Sequence, residues 1–174
     1  MTALSIVQNA CSRLGLVAPT ALFSATDDQT IQLRNLMNQE GIYLGKGADT
    51  DHAWQALVNQ TTFSTTAAAA QTGAIPSDFG WFINDTMWNR TTRIKMTGPV
   101  SAEEWQTYQA IAIIALPNAV FRQRGNSLLI YPTPTAGNTV AYEYVTKNWA
   151  NTAAAVAISV MTADTDVSLI DEDL

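Results

Sequence analysis

Residues 119–146 read AVFRQRGNSLLIYPTPTAGNTVAYEYVT. Two β-prone runs, 119–123 and 127–131, flank Arg124-Gly125-Asn126, and such runs around a Gly/Asn turn predict a hairpin. The segment Pro132-Thr-Pro134-Thr-Ala-Gly137-Asn138 reads as a second turn region. Residues 139–146 then alternate, with Val140, Tyr142 and Tyr144 on one face and Ala141, Glu143 and Val145 on the other. The three runs together predict an antiparallel meander.

Toward the N-terminus the periodicity changes from two to between three and four. Leu4, Val7, Ala10, Cys11 and Leu14 predict a helix over 3–14, stopped by Gly15. Thr26-Asp-Asp-Gln29 fits a capping box opening a second helix over 27–44. Its expected apolar face is Ile31, Leu33, Leu36, Met37, Tyr43 and Leu44, and Gly45-Lys46-Gly47 ends it. The two helices are expected to form a hairpin through the proline-containing link 15–26. Between helices and meander, residues 54–64 read as a strand, 64–73 as a Thr/Ala loop, Ile75-Pro-Ser-Asp78 as a turn, and 81–86 and 89–96 as two short strands. Gly98-Pro99 breaks the chain, and the capping box Ser101-Ala-Glu-Glu104 opens a short helix over 102–109.

The fold class is therefore α+β: an N-terminal helical hairpin, an antiparallel β-sheet region with a short inserted helix, and an extended C-terminal segment. The expected organisation is one domain over 1–150, with strands over 54–63, 81–96 and 119–146, followed by an arm over 151–174 with an acidic end.

Of the 174 residues, 47% are hydrophobic, too many for a disordered chain, and only 14% are charged. The surface must be covered largely by Thr, Asn, Gln and Ser, a character that suits many protein neighbours. The net charge is −6, but Asp164, Asp166, Asp171, Glu172 and Asp173 crowd the end without a base, and the remainder carries only −1. A sequence-independent nucleic-acid binder would be basic, so that class is disfavoured. Cys11 is the single cysteine, which excludes an intrachain disulfide and a cysteine zinc site and points to a small buried residue. No basic, then apolar N-terminal signal is seen. The longest apolar run, 110–116, falls far short of the roughly 20 residues a membrane helix needs. The expectation is a soluble chain made in a reducing compartment.

A search for chemistry finds little. His52, beside Asp49 and Asp51, is the one histidine; a metal or acid–base role competes with a solvated loop, and no second His or Cys completes a transition-metal set. Asp49 with Asp51, and Asp164 with Asp166, lack the rest of a calcium loop. Glu103 and Glu104 are adjacent, so on a helix they diverge, and they suit its first turn. No nucleophile elbow, phosphate loop or dinucleotide pattern occurs. The sequence reads as no enzyme, with no cofactor and no metal. The basic residues Arg90, Arg93 and Lys95, with Arg122 and Arg124, are the candidate partner- or DNA-facing groups; charge protection of edge strands is the competing reading. On a strand, Arg93 and Lys95 would share a face, as would Arg122 and Arg124. Of the five tryptophans, Trp88 and Trp149 are the better interface candidates, core packing being the default for each.

The order of features resembles a known family. A helix pair precedes Ile75-Pro76-Ser77-Asp78-Phe79; Trp105 follows in a Ser-x-x-Glu-Trp context; a hairpin ends in Leu128-Leu-Ile130-Tyr131-Pro132-Thr-Pro134-Thr-Ala-Gly137; then come Tyr142-Glu-Tyr144-Val-Thr-Lys-Asn-Trp149 and Asp164-Thr-Asp166-Val-Ser-Leu-Ile170-Asp-Glu172. Over residues 3–172 this is similar to the head-to-tail adaptor (connector, tail tubular or tail-accessory) proteins of tailed bacteriophages. In that family the acidic segment leads into a C-terminal helix with basic and aromatic residues, whereas this sequence stops at Leu174.

The resemblance implies a structural virion protein in the neck between head and tail, made in the host cytoplasm and away from any membrane. It implies a ring, usually twelve-fold, docked on the portal protein above and on tail or nozzle proteins below. Such a ring extends the channel for double-stranded DNA, without sequence-specific binding, and helps retain and eject the genome. The alternatives are another neck or tail ring component, such as a terminator or head-completion protein, and a tail-associated cell-wall hydrolase. The candidate interface residues, read from the sequence itself, are the five basic groups above, Trp149 and the acids Asp164, Asp166, Asp171, Glu172 and Asp173.

Overall fold

A computed structural model describes residues 1–46, 54–111 and 118–170. In chain order the elements are α1 (Ala3–Leu14), α2 (Asp28–Gly45), a single 3-10 turn (Gln55–Leu57), β1 (Val58–Ser64), β2 (Ala70–Gln71), β3 (Phe79–Phe82), β4 (Trp88–Asn89), β5 (Ile94–Lys95), α3 (Ala102–Ala110), β6 (Val120–Arg124), β7 (Ser127–Tyr131), β8 (Thr139–Thr146), β9 (Ala150–Asn151), β10 (Ala157–Ile158) and β11 (Val167–Ser168). The α+β class, with helices first and antiparallel sheets after, is the one the sequence predicts. These elements fall into two compact units: Met1–Val58 with Thr146–Leu174, and Asn59–Val145.

The first unit is built on α1 and α2. Thr2 caps α1 through its hydroxyl, and Gly15 closes the helix in a left-handed conformation (φ 68°) that suits glycine. The buried stripe of α1 is Ala3, Val7 and Cys11, narrower than predicted, and Leu14 is 68% exposed. The cap of α2 is Asp27 rather than Thr26: its carboxylate accepts the Thr30 amide at 2.9 Å. Of the predicted apolar face of α2 only Met37 is fully buried. Thr30, Met37, Gly41 and Gly45 face inward, and Leu36, Ile42, Tyr43 and Leu44 are exposed. The reason is Trp149, whose ring lies against Gly41 and Gly45, where a larger residue would occupy its space.

The C-terminal segment is stitched into this unit by its backbone. Strand β9 pairs antiparallel with both β10 and β11. Thr2 bridges Val167, the Ala3 amide donates to the Asp166 carbonyl at 2.8 Å, and Ser168 N–H donates to the Met1 carbonyl at 3.0 Å. Asn38 on α2 exchanges two hydrogen bonds with the Met161 backbone, at 2.9 and 3.2 Å. The arm predicted over 151–174 thus runs, in its described part, as short strands and turns that satisfy the first-turn donors of α1.

The second unit holds a five-stranded sheet, in which β1, β8, β4 and β5 neighbour in that order and β3 also pairs β8, and a three-stranded sheet ordered β2-β7-β6. The hairpin β6–β7 is present, with Arg124 opposite Ser127 and Gly125 at φ 59° in a two-residue turn. The meander is not. Strand β8 leaves for the other sheet because Thr65 takes hold of the connecting loop: its hydroxyl donates to the Thr135 carbonyl at 2.6 Å, and its backbone exchanges hydrogen bonds with Gly137 and Asn138 at 2.8 Å each. The predicted strand over 54–64 begins as the 3-10 turn, the predicted loop over 64–73 contains β2, and the predicted strands over 81–86 and 89–96 shorten to β3, β4 and β5 around turns.

The core of this unit joins Ile75, Phe82, Met87, Phe121, Ile130, Tyr142 and Tyr144 among others. Phe82 is its aromatic hub, with ring centres 4.6 Å from Phe79, 5.1 Å from Tyr142 and 5.3 Å from Phe121. Burying one such ring is worth about 1.5–3 kcal/mol. The predicted faces of β8 hold, since Val140, Tyr142 and Tyr144 all join this core. A satellite cluster packs Trp105 of α3 on Val120 and Leu129. There the Ser101/Glu104 capping box is complete, with hydrogen bonds of 2.9 and 3.1 Å.

Candidate interaction interface

Strand β4 carries Trp88 between two neighbours, opposite Ala141 of β8 and Lys95 of β5. Paired residues share a sheet face, so the small Ala141 leaves the indole uncovered, and Trp88 is 45% exposed. The turn after β4 supplies Arg90 and Arg93, both exposed. Arg93 does not sit on a strand face with Lys95, as the alternation predicts. It is a turn residue at φ 59°, a conformation uncommon for arginine. These side chains, with Gln60 and Glu143, line an open groove of about 410 Å³. Among the described residues, neither guanidinium has an ion-pair partner, whereas Lys95 pairs with Asp85 at 2.7 Å.

Arg122 and Arg124 share a face of β6, as strand alternation requires, Arg122 half-buried and Arg124 exposed beside the turn. They belong to the three-stranded sheet, so the basic candidates form two groups on different sheets. The second unit contains five basic and five acidic residues, and the entire net charge of −6 therefore belongs to the first.

Trp149, Asp164 and Asp166 have intramolecular partners. Trp149 is 2% exposed and its indole N–H donates to the Ser159 carbonyl at 2.8 Å. The Asp164 carboxylate accepts the Leu22 and Phe23 amides at 3.1 and 2.9 Å. Buried Asp166 accepts the Thr162 and Ala163 amides at 2.7 and 2.9 Å. These acids close turns in the first unit, and they do so as acceptors of backbone N–H groups. Asp171, Glu172 and Asp173 lie outside the described residues, as do His52, Asp49 and Asp51. Cys11 is buried and free. Among the described residues no group of three or more His, Cys, Asp or Glu could hold a metal ion, and no helix is long and apolar enough to cross a membrane.

One surface escapes the sequence reading. The outward stripe of α2 is Gln29, Gln32, Leu36, Gln39 and Tyr43, three or four residues apart and without a charge. Leu36 is 53% and Tyr43 57% exposed, and a shallow groove of about 550 Å³ runs beside Leu33 and Leu36. Its signal was the unbroken run of amide and apolar residues at helical spacing, masked by the assumption that every leucine on α2 faces the core.

The Tyr144 hydroxyl donates to both carboxylate oxygens of Asp78, at 3.0 and 3.1 Å. Burial first, and then Asp78, push its pKa up to about 12. Burial likewise raises that of Tyr142, whose hydroxyl donates to the Ala74 carbonyl at 2.7 Å. Both phenols are neutral structural donors.

A protein-family model described as the SU10 adaptor protein matches residues 1–172 and so runs through both compact units. Among curated proteins none matches the chain.

Proposed function

The chain belongs to the SU10 adaptor protein family, and on that premise we propose that copies of it form the ring that joins portal to tail. It is a structural adaptor protein of a bacteriophage virion. Its place is the neck, where twelve copies dock on the portal above and on tail or nozzle proteins below. The ring lengthens the DNA channel, retains the packaged genome and passes it at ejection. Its work is assembly and not catalysis.

The observation that carries this reading is the family match over nearly the whole chain. Surface chemistry supports it. A cyclic ring needs two different complementary faces on each subunit. The chain has one pair of arginines in the turn after β4 and another on β6, a charge-free amide and apolar stripe on α2, and a net negative charge confined to the first unit. Balanced charge in the second unit suits a wall that lets DNA pass without holding it.

The test is the light-scattering mass of the purified chain alone and with its portal ring. A stoichiometric complex of about twelve copies per portal supports the reading, whether or not the free chain is monomeric. A chain that ignores both portal and tail proteins overturns it.

A further inference from the structure

A strand with an open side presents a row of free N–H and C=O groups and invites another strand unless something blunts it. Most such strands here are short or charged. β2, β5, β10 and β11 have two residues each, β3 has four and contains Gly80, and β6 carries Arg122 and Arg124. β1 is different. It has seven residues, lies outermost beside β8, and contains no charged residue, proline or glycine. Asn59, Gln60, Thr62 and Ser64 are exposed.

The hydrogen bonds around β1 tell which of its groups are free. Alternate residues of a strand direct both backbone groups to the same side. On β8, the carbonyls of Thr139 and Glu143 accept from Arg90 and Ile83, on the side of β4 and β3, which leaves Val140, Tyr142 and Tyr144 to face β1. Thr65, directly after β1, exchanges backbone hydrogen bonds with Gly137 and Asn138 just before β8. Counting back by twos, Phe63, Thr61 and Asn59 also face β8. Gln60, Thr62 and Ser64 therefore turn their N–H and C=O groups outward, where no described residue pairs with them.

We propose that this edge pairs antiparallel with β1 of a second copy, about a two-fold axis through Thr62. The outward set is symmetric about that residue. Thr62 meets the second copy's Thr62, Gln60 meets its Ser64 and Ser64 its Gln60, and each pair exchanges an N–H and a C=O. Self-pairing sets position 62 against itself, so a charge there would meet its like, and β1 carries none. On the other face Phe63 comes beside the second copy's Thr61, again without a charge. Neighbours in a cyclic ring meet through two different faces, so this like-to-like pair belongs to the free chain and opens on assembly. The proposal does not rest on the ring. One strand edge is a small contact, and the dimer should dissociate on dilution.

The test is the sedimentation mass of the full chain without portal, from micromolar to millimolar, with amide exchange read by NMR at both ends. A monomer passing to a dimer is expected. The Gln60, Thr62 and Ser64 amides should gain about tenfold protection in the dimer, while those of Thr61 and Phe63, already facing β8, stay unchanged. Thr62→Pro removes an outward N–H and leaves the β8 ladder intact, so it should be monomeric with an unchanged Tm. Thr62→Lys and Thr62→Glu chains should each be monomeric alone and dimeric when mixed, a rescue that only position 62 facing itself allows. A free chain monomeric throughout, a dimer indifferent to Thr62→Pro, or a Lys/Glu mixture that stays monomeric overturns the proposal. Protection of the three outward amides only on adding portal or tail protein also overturns it, by assigning the edge to that protein. No arm of the mass measurement uses portal, so the dimer can fail with the ring intact, and the ring with the dimer intact.

Discussion

Replacing Gly41 by alanine tests how the first unit is held together. In an exposed helix interior the change would add about 1 kcal/mol of stability, the difference between the two residues in helix propensity. Here the added methyl would fall well inside van der Waals contact with Cζ2, Cη2 and Cε2 of Trp149. The ring does not yield freely, because its Nε1–H is tied to the Ser159 carbonyl at 2.8 Å and the residue is almost fully buried. Overpacking of this kind costs about 1–3 kcal/mol, and loss of the indole hydrogen bond about 1 more. Set against the helical gain, the net is a loss of about 2 kcal/mol, or about 4–8 °C in Tm for a chain of this length. Gly45→Ala is the internal control: its methyl would stand 3.1 Å from the Trp149 Cβ, a misfit of a few tenths of an ångström, and its effect should be near zero. Urea titration followed by circular dichroism reads both. The decisive arm is Gly41→Ala made in a Trp149→Leu background, where alanine should now stabilise, inverting its sign. A Gly41→Ala chain more stable than the native one would refute the reasoning.

Four further outcomes follow from the same contacts. Tyr144 is raised from its ordinary value near 10 to about 12, so the folded state binds the phenolic proton more tightly. Its contribution is complete below pH 10 and falls by about 1.4 kcal/mol per pH unit until pH 12; Tyr144→Phe should remove that share of the alkaline slope, leaving the part due to Tyr142, as read by denaturant midpoints across that range. Asp164→Ala strands the buried Leu22 amide and the Phe23 amide, and should lower the urea-derived stability by about 2 kcal/mol, with Asp164→Asn intermediate. Ser101→Ala removes the cap of α3 and should cost about 1 kcal/mol, seen first as faster amide exchange in its opening turn. Arg122→Glu/Arg124→Glu should reduce ring assembly without moving Tm, and unchanged assembly and genome retention would remove that pair from the interface.

The motifs that were legible in the sequence turn out to be packing devices. Ile75-Pro-Ser-Asp78-Phe79 and Tyr142-Glu-Tyr144 read as separate signatures, yet they meet: Ile75 and both tyrosines share one core, Asp78 receives the Tyr144 hydroxyl, and Phe79 lies 5.8 Å from the Tyr144 ring. The Ser101/Glu104 box and the β6–β7 hairpin were legible because local chemistry alone decides them. Where β8 goes was not, because Thr65 settles it from 70 residues away, by a side-chain bond no periodicity announces. The inward face of α2 was misread for a similar reason. Glycines count as absent hydrophobes in a helical pattern, and only the distant Trp149 makes Gly41 and Gly45 a buried seat. The candidate groove was half legible: the arginines and Trp88 stood out, but their meeting depends on the turn at Arg93.

The pairing of Thr2 with Val167 makes one unit discontinuous and the other an insert within it. On the ribosome this reverses the usual sequence of events. The helices of residues 1–45 emerge first but lack Trp149, the acceptors at Asp164 and Asp166, and the strand at Val167 until almost the whole chain has been made. The insert, residues 59–145, needs nothing from later in the chain for its core and is free to fold while its host waits. Built this way, the chain completes its first unit last, because the packing of α1 and α2 closes only once the residues through Val167 are present.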